Sequence, residues 1–212
     1  MTSEEYLKET EHAARQLFEG LAHYWNLLEK MTKPVFVTDV PFHDQSAWNA
    51  AFTEWREANK ETIERSSEIS REYFGLSFSN ATLCGSVLQI ASMGIWLFSR
   101  NATIPESCKS FVNEGQDAVC YCIGREVRGL PIGIVIYAAR NQYNHWDDEK
   151  PRRIMQAVFD FLALGHGHGP ARDPAFDLSK PNLHIYSHNV LELLEWHSYD
   201  AYHADMTSLI CR

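Results

Sequence analysis

The stretch from Tyr73 to Ser99 contains no charged residue. A run of this kind can be satisfied by a bilayer, which about 20 residues can cross, or by the centre of a folded domain. Ser77, Ser79, Asn80, Thr82, Ser86, Gln89 and Ser92 interrupt it, and Gly85 and Gly94 dilute it. Its hydropathy suits a helix buried in protein, preceded by a polar loop, better than a helix in lipid. Ser79 or Asn80 can cap this helix, which runs to about Arg100. Its apolar residues nearly surround it, so a central position is expected.

The other segments read as helices packed around that one. Residues 3–31 form one long helix, with Ser3, Glu4 and Glu5 as its start and Leu17, Leu21, Tyr24, Leu28 and Met31 at helical spacing. Lys33-Pro34 ends it. Pro34 to Asp39 is short and rich in β-branched residues, and without a partner strand it reads as an extended connection. Asp44 or Ser46 can open a second helix over 47–73, with Trp48, Phe52, Trp55, Ile63, Ile69 and Tyr73 on its apolar stripe. Its charged residues form a solvated face, and Gly75 closes it.

Beyond the uncharged run, Asn101 to Ser107 reads as a loop and Phe111 to Gly124 as a shorter helix. Leu130 to Asn144 is a further helix, with Pro131 in the first turn, where its missing N–H costs nothing. Pro151 opens another over 151–164. The glycine-rich turn Gly165 to Pro170 breaks it, 171–183 is irregular, and a last helix runs from Ser187 to about Met206. The expectation is an all-α helical bundle forming a single domain over 1–212, with long N-terminal helices and an irregular loop before the last helix.

Hydrophobic residues make up 45% of the chain and charged residues 22%, which excludes wholesale disorder. At this length roughly 70% of the unfolded surface can be buried, so no metal or disulfide staple is required. Five cysteines (84, 108, 120, 122 and 211) form no CxxC pair and read as free thiols in a reducing compartment. The acidic start Met-Thr-Ser-Glu-Glu is unlike a secretory signal. A cytoplasmic protein with no membrane association and no cofactor is expected.

The net charge of −9 excludes a globally basic nucleic-acid clamp, but not a local basic site. Its distribution is uneven. Residues 1–72 carry eight basic and fourteen acidic groups, whereas 125–153 carry six basic and four acidic. In the latter segment an apolar run delivers a polar cluster, Arg140-Asn141-x-x-x-His145. Arginine brings a permanent charge and a planar fork for phosphate. Histidine exchanges a proton near neutral pH, and asparagine can orient either. These groups suffice to cut RNA without a metal, with the ribose 2′-oxygen as nucleophile. Arg140 and His145 lie about 140° apart around an ideal helix, so they converge only if the helix loosens or a second chain supplies one partner. The structural alternative is an Arg–Asn–His network at a helix C-terminus, where basic groups are favourable.

The segment resembles the signature of HEPN domains: arginine, four to six residues, then histidine, often with asparagine directly after the arginine. The resemblance implies a helical bundle that dimerises with its two motifs facing each other. It also implies metal-independent endoribonuclease activity in toxin–antitoxin, phage-defence or RNA-processing settings, with an antitoxin or regulatory protein as partner. Arg140, Asn141 and His145 carry over as motif positions. Arg125, Arg128, Arg152 and Arg153 are candidate phosphate contacts, or surface arginines at helix ends.

A non-catalytic helical interaction module is the second reading. A metal-dependent hydrolase using His184 and His188, four apart with Glu192 one turn on, is the third, although the spacing lacks the zincin glutamate. His166 and His168 have no neighbouring ligand to complete a metal set and read as a flexible loop. Trp196, His197, Tyr199, Tyr202 and His203 read as a base-stacking set or, more commonly, as an aromatic core or interface.

Overall fold

The computed structural model describes the chain except residues 31–33, 42, 149–151, 166–170, 180–184 and 212. The described residues hold eight α-helices and one two-stranded hairpin. The helices are α1 (Ser3–Glu29), α2 (Gln45–Ala58), α3 (Lys60–Gly75), α4 (Ser77–Phe98), α5 (Ile132–Asn144), α6 (Arg153–Ala163), α7 (Ser187–Leu193) and α8 (Tyr199–Ile210). The protein is mostly helical, as its hydrophobic periodicity implies. The chain divides into two compact units, one of residues 1–22 and 79–212, the other of residues 23–78.

In the larger unit α4 and α5 carry the core. Cys84, Leu88, Ala91 and Ile95 of α4 are fully buried, as are Ile132, Ile134, Ile136 and Ala138 of α5. Burial of each large aliphatic side chain contributes about 1.5–3 kcal/mol, so both helices contribute to stability, together with the buried Phe159, Tyr186, Trp196 and Tyr202 of the C-terminal region. Tyr6 of α1 donates its hydroxyl to the carbonyl of Ile90 at 2.7 Å. Ser187 of α7 donates to the carbonyl of Ala81 at 2.9 Å. Helix α5 packs on α6 and α7. By length and composition α4 could cross a membrane, yet half of its most apolar window is buried in the fold.

Four segments differ from the periodicity reading. The helix expected over 111–124 is absent; 3₁₀ turns occupy Glu106–Cys108 and Asp117–Tyr121. Gly115 and Gly124 have φ of 78° and 100°, left-handed conformations that flank the second of these turns. The segment before α5 is a tight hairpin, Glu126–Val127 (β1) against Leu130–Pro131 (β2), turned by Arg128 (φ 49°) and Gly129 (φ 81°). Two positive φ values in a two-residue loop match strand twist, and they delay the start of α5 to Ile132. The helix expected over 47–73 is split at Asn59, whose side-chain amide donates to the Trp55 carbonyl at 2.8 Å and closes α2. The last helix is likewise two, parted by Glu195 at φ 57° and restarted by Ser198, whose hydroxyl accepts from the N–H of Ala201.

The smaller unit is built differently. Helix α2 buries no residue completely. Its aromatic side chains instead gather around Phe36 of the extended segment, whose ring lies 5.3 to 5.5 Å from those of Trp48, Phe52 and Trp55. Offset and edge-on rings at such distances add about 0.5–1.5 kcal/mol per pair beyond area burial.

Candidate functional site

Two close approaches fix the frame of α5. Gly133, in its first turn, rests on backbone: a Cβ there would lie 2.4 Å from the carbonyl oxygen of Tyr121. Near its other end, the ring of Tyr143 covers Gly85 of α4, where a Cβ would lie 2.5 Å from the ring. The polar end of α5 is thereby set against the middle of α4.

Arg140 is half-buried there. Its Nε donates to Oε1 of Gln89 at 2.8 Å, and its Nη1 to Oδ1 of Asn141 at 3.1 Å. Asn141 is buried. Gln89 also accepts from Nδ2 of Asn144 at 3.3 Å, so one amide oxygen of α4 gathers two side chains of α5. Both oxygens around Arg140 are neutral amides. Among the described residues Arg140 has no carboxylate within ion-pair distance.

The other arginines are used differently. Arg125 pairs with Asp205 at 3.0 Å and donates to the Leu194 carbonyl at 2.7 Å. Arg128 pairs with Asp173 at 2.8 Å, donates to the Leu162 carbonyl and lies over the Phe176 ring. These two guanidiniums are engaged within the fold. Arg152 and Arg153 are exposed at the start of α6. The amide-rich helix N-terminus there adds positive potential.

A cavity of about 320 Å³ opens beside Arg140. One wall is α4, through Gln89, Ser92, Met93 and Trp96. The others are Arg140 and Asn141 with Tyr137, then Asp117 and Tyr121 of the 3₁₀ turn, and Arg152. Tyr121 and Tyr137 have ring centroids 4.8 Å apart. The Tyr121 hydroxyl donates to the Ser92 carbonyl at 3.1 Å. Burial pushes the Tyr121 phenol up, opposed by its Ser92 hydrogen bond and the Arg140 charge, so it stays a proton-bearing donor.

The structure brings Arg140, Asn141 and Arg152 to one cavity. His145 is not among its lining residues. It follows the last turn of α5, its N–H still bonding the Asn141 carbonyl at 3.0 Å, with Nδ1 3.2 Å from a carboxylate oxygen of Asp148. Within one chain the two ends of the motif thus have separate partners.

Of the competing clusters, Trp196 and Tyr202 are fully buried and pack edge to face at 5.0 Å, so they form core rather than a stacking surface. His184, His166 and His168 lie outside the described residues. His188 sits on α7 with Nδ1 3.3 Å from Asn80 Nδ2, and among the described residues no three metal-ligating side chains gather.

The α4 wall and the 3₁₀ wall lie outside the Arg140–His145 motif and outside every candidate site residue of the sequence. The signal for α4 was present: Gln89, Ser92 and Trp96 recur at helical spacing in an otherwise apolar run. For Asp117 and Tyr121 there was none, because the turn that presents them was expected to be helical. Comparison with protein-family models, with curated proteins and with solved structures finds no match to this chain.

Proposed function

We propose that the protein is a metal-independent endoribonuclease of HEPN type, acting as a homodimer whose two copies complete each site. The observation that carries this reading is Arg140: a guanidinium on a cavity wall, oriented by two amide oxygens and left without an ion-pair carboxylate among the described residues. The charges of Arg125 and Arg128 are compensated by Asp205 and Asp173. That of Arg140, held by neutral amides, is left uncompensated among the described residues and can pair with a phosphate.

In the proposed reaction the ribose 2′-oxygen attacks the adjacent phosphorus. The P–O5′ bond breaks, leaving a 2′,3′-cyclic phosphate and a free 5′-hydroxyl. Arg140 stabilises the charge that develops on the phosphorane oxygens. Asn141 holds the guanidinium in place, and Arg152 is a further substrate contact. His145 removes the 2′-proton or supplies one to the 5′-oxygen. With Nδ1 facing Asp148, Nε2 is the ring nitrogen that serves. Because His145 does not line the cavity of its own chain, the histidine comes from the second copy. Exposed apolar side chains of α4 such as Leu97 supply surface for that contact. The proposed setting is the cytoplasm, under the control of an antitoxin or regulatory protein.

The test is RNA cleavage by purified protein in EDTA. The expected products end in 2′,3′-cyclic phosphate, and His145→Ala abolishes them. Activity that survives His145→Ala, or vanishes with the chelator, overturns the mechanism. The second reading, a non-catalytic helical interaction module that binds a partner or nucleotide, is favoured by the separation of His145 from the cavity, and predicts no cleavage but a dimer or partner complex that survives mutation of Arg140.

A further inference from the structure

The cavity beside Arg140 holds more than a phosphate needs. A phosphate site asks for positive charge and N–H donors. This one also has an exposed carboxylate, Asp117, and the large indole of Trp96, 52% exposed. Neither Asp117 nor Arg152 has an ion-pair partner among the described residues, although both line the same space. Opposite charges that line one cavity without pairing, beside a half-exposed indole, match a ligand that is flat and carries acceptors on one edge and donors on another.

Among nucleobases guanine has that pattern. Its O6 and N7 accept from a guanidinium. Its N1–H and 2-amino group present two adjacent donors to a carboxylate. Adenine lacks the O6 acceptor, and the pyrimidines lack the paired donors. Unpaired bases in RNA are recognised in this way, stacked on an aromatic face and hydrogen-bonded at their edges. The volume, about 320 Å³, lies at the lower end of small-molecule sites (about 300–1,000 Å³) and suits one nucleotide rather than a duplex.

We infer that this cavity is a guanine subsite, in which Trp96 stacks on the base and Asp117 and Arg152 read its edges. The inference rests on the ribonuclease reading and adds a sequence preference to it: single-stranded RNA is cut beside guanosine. Trp96 and Asp117 are specificity-determining residues, distinct from Arg140 and His145.

Calorimetric titration of the full chain with 3′-GMP, 3′-AMP, 3′-CMP and 3′-UMP tests the subsite without requiring cleavage. The expected result is tightest binding of 3′-GMP. Asp117→Asn, isosteric and exposed, should reduce the preference for 3′-GMP over 3′-AMP by about tenfold or more. Trp96→Leu should weaken all four ligands together. Equal affinities, no binding, or a guanine preference untouched by Asp117→Asn overturns the inference. In a second arm, cut sites in a random RNA pool are sequenced; cuts beside guanosine support the subsite, and cuts without base preference overturn it. Guanine-selective binding that depends on Asp117 but comes with no cleavage of RNA keeps the subsite and overturns the ribonuclease reading instead.

Discussion

Gln89 of α4 accepts the Nε proton of Arg140 of α5 at 2.8 Å, across 51 residues of chain. That bond aims the guanidinium, and Gln89 also holds Asn144 at 3.3 Å. In the proposed mechanism Gln89 is therefore a positioning residue. Gln89→Leu leaves Arg140 in the protein but frees its fork. The expected outcome is a fall in kcat of about tenfold to a hundredfold with KM little changed, because misplacement costs transition-state contacts more than ground-state binding. Gln89→Glu should restore position while neutralising the charge, so it should not rescue activity. Steady-state kinetics on a short RNA separate the two effects.

Asp205 is a stability residue. It accepts from Nε1 of Trp196 at 2.8 Å and pairs with Arg125 at 3.0 Å. Trp196 is fully buried, so Asp205→Ala leaves its N–H without a partner. The expected cost is about 1–3 kcal/mol, read from urea unfolding. Arg125→Ala should also lower the unfolding midpoint and leave RNA cleavage unchanged, since this guanidinium serves the fold.

His188 gives a pH dependence. Burial holds its pKa below the ordinary 6.5; Glu192 opposes this, and His197 reinforces it. With the folded pKa depressed, the unfolded chain binds the proton more readily. Stability is therefore full above about pH 6.5 and falls as the pH drops through the window beneath it. Urea midpoints at pH 7.5 and 5.5 should differ in that direction, and His188→Gln should shrink the difference.

The helical class, the extents of α1 and α4, and the arrival of Arg140, Asn141 and His145 at the end of α5 were legible in the sequence. They rest on hydrophobic periodicity, which reports local geometry directly. The breaks at Asn59 and Glu195 were not, since each depends on one side-chain cap or one positive φ inside a stripe that continues on both sides. The cavity was half legible. Arg140 stands in a motif, but Asp117 and Tyr121 belong to a 3₁₀ turn flanked by Gly115 and Gly124 at positive φ. The partners that distinguish Arg125 and Arg128 from Arg140 lie 34 to 80 residues away along the chain, beyond the reach of local pattern.

The central claim is that Arg140 of one copy works with His145 of another. Complementation tests it most directly. Arg140→Ala and His145→Ala proteins are purified separately, then mixed, unfolded and refolded together. Each alone should fail to cleave RNA in EDTA. A mixed dimer regains one intact site, because the second protein supplies Arg140 and the first supplies His145. Random pairing then gives about a quarter of wild-type activity. A mixture as inactive as its two components would contradict the account.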